Sequence, residues 1–169
     1  ADLPIDYNMC EILERNLEHR ADKTALLSEH GSLTFREVSD QVNQVGNALT
    51  RLGVRFGECV AILCPDRPEW VTTFFATAKI GGVALGMNTL LTTEEYDYIL
   101  KDARVRVLVV YDSLLALVEP ILSNHTMLTK VIVIGADEGA RTDFGTGFGN
   151  AVIVTGDGSR PDIGARTNP

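Results

Sequence analysis

The sequence has few cysteines and no pattern that pairs them. Cys10, Cys59 and Cys64 are its only cysteines in 169 residues, and no two are spaced as C-x-x-C. This argues against a disulfide framework and against a zinc knuckle. We therefore expect free thiols and a reducing compartment, the cytoplasm. Cys64 precedes the turn-forming pair Pro65-Asp66, where a nucleophile can be displayed, but a small buried apolar role is the favoured interpretation.

The sequence also has few basic residues compared with acidic ones. The 15 Lys and Arg residues are outnumbered by 23 Asp and Glu, which gives a net charge of −8. Sequence-independent nucleic-acid binding and adhesion to anionic lipid both need clustered cations. We therefore expect no nucleic-acid partner and no membrane partner. No apolar run approaches the roughly 20 residues that span a bilayer, and the N-terminus does not resemble a secretory signal.

The overall composition is typical of a globular domain. The most informative segment of the sequence covers residues 33–54. Thr34 and Glu37 form an S/T-x-x-E capping box, which predicts a helix that begins at Phe35. Apolar residues then recur at steps of four and three, so they share one helical face. They are Val38, Val42, Val45, Leu49 and Leu52. Gly53 stands where a left-handed cap ends a helix, so the helix should stop there.

Strands and helices alternate along the rest of the chain. A surface helix is predicted over 9–20, followed by a hairpin of 24–28 and 33–35 with a turn between them. Later strands are predicted over 58–64, 83–87, 105–110 and 130–134. Crossovers long enough to carry a helix favour right-handed β-α-β units. The predicted fold class is α/β, a mostly parallel sheet with flanking helices.

The predicted crossover helices have their own start signals. Asp66 is placed as the N-cap of the first, with Pro68 in its first turn and Gly81-Gly82 at its end. Thr92 and Glu95 repeat the capping box for the second. A third covers 114–122. The predicted apolar face of the first is Trp70, Val71, Phe74, Phe75 and Ala78, and that of the second is Tyr96, Ile99, Leu100 and Ala103.

The character of the sequence changes after Gly135. Residues 136–169 hold seven of the 15 glycines and have no sustained period, and only 151–154 could form a strand. We therefore expect a domain over 1–135 and a glycine-rich tail over 136–169 that is loop or partly disordered. Within the tail, the glycine-rich run from Gly145 to Asn150 is a candidate phosphate cradle. It lacks a lysine and a strand-turn-helix context, so a flexible tail is preferred.

Five blocks of sequence, in order, resemble one enzyme family. They are the capped helix, Leu13-Glu14-Arg15-Asn16-Leu17, the segment 60–69, the segment 78–84 and Met87-Asn88-Thr89-Leu90-Leu91-Thr92. Each is similar to the corresponding block of the AMP-forming acyl-CoA synthetases, members of the adenylate-forming superfamily. The Leu-Glu-Arg-Asn-Leu and Asn-Thr-Leu-Leu-Thr blocks most resemble the benzoate or aryl-CoA ligase branch.

The resemblance implies a two-step reaction in the complete enzyme. A carboxylate, aromatic or fatty, attacks the α-phosphate of ATP and releases pyrophosphate, and the thiol of CoA then displaces AMP. ATP, CoA and Mg²⁺ are implied, because electrostatics and positioning stabilise such transition states. The lysine-bearing phosphate loop of the family has no counterpart among these residues. We therefore expect an N-terminal part that is inactive alone and binds none of these ligands tightly.

Several other residues invite functional interpretations, each with a simpler alternative. Glu94, Glu95 and Asp97 suggest an acid/base or metal cluster, but a solvated acidic first turn is favoured by the helix dipole. His19, His30 and His125 have no metal spacing and no carboxylate partner close in sequence, so surface or turn positions are expected. The aromatic residues Trp70, Phe74 and Phe75 are interpreted as core rather than as a base-stacking platform.

Asn88-Thr89 is the remaining candidate for a binding site. It follows the carboxyl end of a predicted strand, where open parallel sheets bind ligands, so a role near substrate or CoA is conceivable. A turn before the Thr92 helix explains it equally well. We assign no catalytic residue, no metal ligand and no cofactor-binding residue from the sequence.

Two other functions stay open at this point. The parallel-sheet pattern also suits an independent nucleotide-binding module. A non-catalytic interaction domain is the third possibility, because a partial domain exposes apolar surface and tends to self-associate.

Overall fold

The computed structural model describes residues 7–29, 31–135 and 151–155, the last of these through the backbone only. The strands are β1 Thr24–Ser28, β2 Gly31–Thr34, β3 Cys59–Leu63, β4 Val83–Gly86, β5 Val107–Tyr111, β6 Lys130–Ile134 and β7 Ala151–Thr155. The α-helices are α1 Glu11–Glu14, α2 Leu17–Arg20, α3 Phe35–Arg51, α4 Pro68–Lys79, α5 Thr93–Asp102 and α6 Leu115–Val118. Short 3-10 helices, Asp112–Leu114 and Glu119–Asn124, flank α6.

The main sheet is parallel except at one edge. Its order is β4-β3-β5-β6-β7, and β1 pairs with β2 in a separate antiparallel hairpin. The pairs β3–β4, β3–β5 and β5–β6 are parallel, whereas β7 runs antiparallel to β6. The predicted α/β class and mostly parallel sheet are therefore confirmed.

The sheet separates two apolar layers because successive side chains on a strand point to opposite faces. On β3, Val60 and Ile62 pack into the core beneath α3 and α4, while Ala61 and Leu63 pack into the core beneath α5 and α6. All five residues of β3 are buried, as the near-continuous apolar run predicts. The molecule is thus a three-layer α/β/α arrangement with the sheet in the middle.

Helix α3 follows the sequence prediction closely. The Thr34 side chain accepts from the Glu37 amide at 3.2 Å, and Glu37 Oε2 accepts from the Thr34 amide at 2.8 Å. This backbone hydrogen bond lowers the pKa of the Glu37 carboxyl. Four of the five predicted stripe residues are buried, and Leu52 is half-buried. Gly53 has φ of +90°, the left-handed conformation expected of the cap.

The capping box gives a stability prediction. Thr34→Ala should lower the free energy of unfolding by about 1 kcal/mol, because the Glu37 amide loses its acceptor at the helix start. Urea unfolding followed by circular dichroism measures the change. Ser32→Ala is the matched control, since Ser32 is exposed in β2 and its side chain makes no hydrogen bond among the described residues. Equal effects of the two substitutions would contradict the role of the cap.

The predicted cap of α4 is wrong, and its predicted apolar face is incomplete, because Trp70, Phe74 and Phe75 pack against the core but are not its most buried residues. The fully buried residues are Thr72, Thr73, Ala76 and Thr77, whereas the predicted Trp70, Val71, Phe74, Phe75 and Ala78 are half-buried. The threonines can be buried because their hydroxyls donate to carbonyls one turn back, at 2.7 Å for Thr73 to Glu69 and 2.8 Å for Thr77 to Thr73. The N-cap is Arg67, not Asp66, and it makes no side-chain capping bond.

Other predicted boundaries shift for local reasons. The helix predicted over 9–20 is split into α1 and α2, where the Asn16 side chain donates to the Ile12 carbonyl at 2.8 Å and competes with the backbone. The helix predicted over 114–122 becomes α6 and a 3-10 segment at Pro120, which has no amide to donate. Strand β5 begins at Val107 because Arg104, with φ of +50°, ends the preceding turn. In the hairpin, Gly31 and Ser32 belong to β2, not to the turn.

The segment after Gly135 is described only in part. Strand β7 forms where the sequence allowed a strand, at Ala151–Thr155. The other residues of 136–169, including the candidate cradle from Gly145 to Asn150, lie outside the described residues, and so does His30. The division into 1–135 and 136–169 stays a prediction. Within the described residues, no helix is both long enough and apolar enough to cross a bilayer.

Candidate functional site

A cavity of about 500 Å³ opens at the carboxyl edge of β3 and β4. The loops that follow these strands supply most of its wall, and α4 supplies the rest. Its lining residues are Cys64, Pro65, Asp66, Trp70, Gly86, Met87, Asn88 and Thr89. The structure therefore brings together Asn88-Thr89, Trp70 and Cys64, which sequence reasoning had treated separately. This is the edge at which open parallel sheets bind ligands.

Trp70 is a fixed wall of this cavity. A Cβ atom on Gly86 would lie 2.9 Å from Trp70 Cζ2, so the absence of a side chain at Gly86 lets the indole lie against the strand end. On its other side, Trp70 stacks on Phe74 with ring centroids 5.1 Å apart. Both rings are half-buried and pack against the core below α3. Trp70 is thus partly core, as expected, and partly a surface that faces the cavity.

Another part of the wall is formed by Met87, Asn88 and Thr89, which belong to the loop of residues 87–91. Asn88 Oδ1 accepts from the Leu90 amide at 2.9 Å, which closes a turn. The Tyr96 hydroxyl donates to the Asn88 carbonyl at 2.8 Å, and Tyr96 is fully buried. Sequence reasoning placed Tyr96 on the apolar face of its helix and missed this bond. The available signal was chemical, because a buried tyrosine hydroxyl needs a partner.

The charge of the cavity does not suit a phosphate chain. Asp66, exposed and acidic, is the charged residue in its lining. The neighbouring Arg67 lies beside the cavity, with its Nε 3.3 Å from Glu69 Oε2 and its guanidinium 4.9 Å from the centre of the Tyr111 ring. Across the described residues, no group of three or more His, Cys, Asp or Glu could hold a metal ion. These residues therefore fit neither the triphosphate of ATP nor Mg²⁺.

Cys64 is a buried thiol rather than a displayed nucleophile. Burial raises the pKa of Cys64 to about 12, with the Glu69 charge adding to the rise. The thiolate is the reactive form, so Cys64 is unreactive near neutral pH. Cys10 and Cys59 are also free and buried, and burial raises the pKa of each thiol. The expectation of a small buried residue at Cys64 is confirmed.

The acidic first turn of α5 is only partly as predicted. Glu94 and Glu95 are exposed, and Glu95 completes the second capping box through the Thr92 amide at 2.8 Å. Asp97 instead pairs across the structure with His125, Oδ1 to Nε2 at 2.9 Å. The expected surface or turn position of His125 is wrong in one respect, since this residue is buried at 8% exposure. The contact links α5 to the segment before β6.

His19 is exposed, as expected, yet its Nε2 lies 3.6 Å from Glu18 Oε2, so a carboxylate is close in sequence after all. The described residues also form two smaller grooves. One, of about 330 Å³, lies between β1 and the start of α4 and shares Asp66 and Trp70 with the main cavity. The other, of about 360 Å³, lies along α5.

Comparison with known proteins shows which protein family this chain resembles in sequence and in fold. Residues 13–152 match the AMP-binding enzyme family. The chain is 37% identical over 136 residues to benzoate–CoA ligase of Thauera aromatica, and 32% identical over 132 residues to 4-hydroxybenzoate–CoA/benzoate–CoA ligase of Rhodopseudomonas palustris. These matches cover 79% and 77% of this chain. Among solved structures, the anthranilate CoA ligase AuaEII in complex with anthranoyl-AMP is 56% identical, with a TM-score of 0.78 over 79% of this chain.

The matched region is a minor part of each relative. It covers 26% of the Thauera aromatica ligase, 24% of the Rhodopseudomonas palustris ligase and 26% of AuaEII. The chain thus spans about a quarter of the length of these ligases, while the family match covers most of the chain itself. With its fold and its sequence in agreement, the chain belongs to the AMP-binding enzyme family.

Proposed function

We propose that this chain is the first part of an ATP-dependent ligase that joins an aromatic carboxylic acid to CoA, with anthranilate as the favoured acid. The observation that supports this most is the 56% identity to the anthranilate CoA ligase AuaEII, against 37% to a benzoate–CoA ligase over a similar share of the chain. Both relatives act on an aromatic acid by name, so the aromatic class is favoured over the fatty class.

In this proposal the chain contributes architecture and one cavity wall. The complete enzyme would form an acyl-adenylate from the acid and ATP, release pyrophosphate, and transfer the acyl group to the CoA thiol. The groups that bind the phosphates and Mg²⁺ would come from outside the described residues, because the cavity at β3 and β4 has an acidic charge. The contribution of the residues here is to hold Trp70, Asn88 and Thr89 in place at the sheet edge.

The proposed compartment is the cytoplasm. Three free, buried cysteines support a reducing environment, where thiols stay unpaired.

The proposal includes neither a nucleic-acid partner nor a membrane partner, because the net charge of −8 disfavours binding to both. Self-association stays a prediction, and the exposed side chains of Leu27, Phe56 and Leu90 are the apolar groups that would promote it.

The test is acid-dependent exchange between ATP and labelled pyrophosphate. The complete protein, expressed from its whole reading frame, should catalyse exchange with anthranilate and with benzoate. It should disfavour dodecanoate by at least about tenfold in kcat/KM, because a pocket shaped for an aromatic ring fits a long chain poorly. The 169-residue chain alone should give no exchange above the background without enzyme.

Two results would count against the proposal. Exchange by the 169-residue chain alone would show that these residues suffice for adenylation. A preference of the complete protein for dodecanoate would place it with fatty-acid ligases. Calorimetric titration of the chain with ATP, AMP and CoA separates the proposal from an independent nucleotide-binding module, which predicts micromolar affinity for one of the three.

A further inference from the structure

Tyr96 joins the core of the molecule to the candidate site. It lies on the buried face of α5, packed with Leu63, Leu100 and Val110 below the sheet. Among the described residues it is the largest fully buried side chain. Its hydroxyl leaves this apolar layer and donates to the Asn88 carbonyl at 2.8 Å. Asn88 is exposed and lines the cavity. One side chain thus links a rigid layer to a solvent-facing loop.

The loop of residues 87–91 is held separately at its two ends. At its start, the Met87 amide donates to the Ile62 carbonyl at 2.9 Å, which continues the strand pairing. At its end, the capping box of Thr92 fixes the first turn of α5. Between these ends the chain leaves the body of the protein, and Leu90 is 88% exposed. The bond from Tyr96 anchors the loop at Asn88, next to the cavity.

The chemistry of the Tyr96 hydroxyl suits a permanent anchor. Burial raises the pKa of Tyr96, while a backbone hydrogen bond from Leu91 acts in the opposite direction. With its pKa raised, the hydroxyl keeps its proton throughout the neutral range and stays a donor to Asn88.

We propose that Tyr96 is a positioning residue, whose buried hydroxyl holds the loop of residues 87–91 so that Asn88 and Thr89 form a fixed wall of the cavity at β3 and β4. The expected effect of Tyr96 on the kinetics rests on the proposed function, because the loop can affect KM only if it faces a substrate of the ligase. Loss of the hydroxyl should loosen the wall and leave the fold intact, because the aromatic ring still fills its place in the core.

The first experiment uses Tyr96→Phe in the 169-residue chain, with amide exchange followed residue by residue by NMR. Exchange at the Leu90 amide should become about fivefold faster, as expected for loss of one hydrogen bond. Amides of β3 and β5 should keep their rates. Tyr98→Phe is the matched control, since Tyr98 lies on the same helix, is 68% exposed and makes no hydrogen bond among the described residues. Unchanged exchange at Leu90 in Tyr96→Phe would overturn the proposal.

The second experiment places the same two substitutions in the complete ligase. In Tyr96→Phe, the KM of at least one of acid, ATP and CoA should rise about fivefold with kcat unchanged, the signature of weakened ground-state binding. General destabilisation would instead lower the active fraction and the apparent kcat. Unchanged KM values for all three substrates in an active enzyme would overturn the proposal. If the unsubstituted complete protein is inactive, the proposed function fails, and the exchange experiment still decides the role of Tyr96.

Discussion

Leu49→Ala should lower the free energy of unfolding by about 3 kcal/mol, a large part of the stability of a domain of this size. Leu49 is fully buried on α3 and belongs to the core that joins this helix to β3, β5 and β6. The substitution removes three carbon atoms from a packed region and leaves a cavity that its neighbours fill only partly. Urea unfolding of the chain, followed by circular dichroism, measures the loss.

Leu27→Ala is the control for this experiment. It makes the same chemical change at a residue that is 84% exposed, in the hairpin strand β1. Its effect should stay within about 0.5 kcal/mol, as for most surface substitutions. A loss at Leu27 as large as that at Leu49 would mean that the hairpin surface is covered by contacts that this fold does not show.

The success of the sequence prediction at α3 has a simple physical basis. A capping box joins residues three apart, and a helical stripe repeats every three or four, so both signals are contained in the helix itself. Thr34, Glu37, Val45 and Leu49 therefore occupy the predicted places. The same reasoning was right at Thr92 and Glu95, where the second capping box forms.

The failure at α4 has an equally specific cause. A prediction based on apolar residues misses buried threonine, which can be buried when its hydroxyl donates to a carbonyl of its own helix, as Thr73 and Thr77 do. The large aromatic residues then lie at the sides of the helix, and one of them, Trp70, lines the cavity. Composition alone ranks Trp above Thr for burial, so it finds the aromatic residues that pack against the core and misses the threonines that are buried more completely.

The candidate site was predictable only in part. The rule that ligands bind at the carboxyl ends of parallel strands pointed to Asn88-Thr89. That Cys64 and Trp70 share a cavity with Asn88-Thr89 depends on β4 lying beside β3, and local sequence patterns do not reveal the order of strands in a sheet. The contact between Asp97 and His125 has the same origin, because it joins elements that only the folded sheet brings together.

Gly46→Leu should cost about 2–3 kcal/mol, although leucine favours the helical conformation more than glycine does. Gly46 is buried on α3 where this helix crosses α4. A Cβ atom there would already lie 3.3 Å from Ile80 Cγ2 and 3.7 Å from the Ala76 carbonyl oxygen. Alanine is at the limit of the available space, and the three further carbons of leucine have none. Overpacking therefore outweighs the propensity gain of roughly 1 kcal/mol.

The shift caused by Gly46→Leu should also reach the candidate site. Helix α4 carries Trp70, the sole tryptophan of the chain, so its fluorescence emission reports the position of the cavity wall without a label. Asn47→Leu is the matched control, because Asn47 is the next residue on α3 and is exposed. It should leave both stability and emission nearly unchanged. A stable Gly46→Leu variant with unshifted emission would contradict this prediction, because it would show that leucine fits between α3 and α4 without moving the helix that carries Trp70.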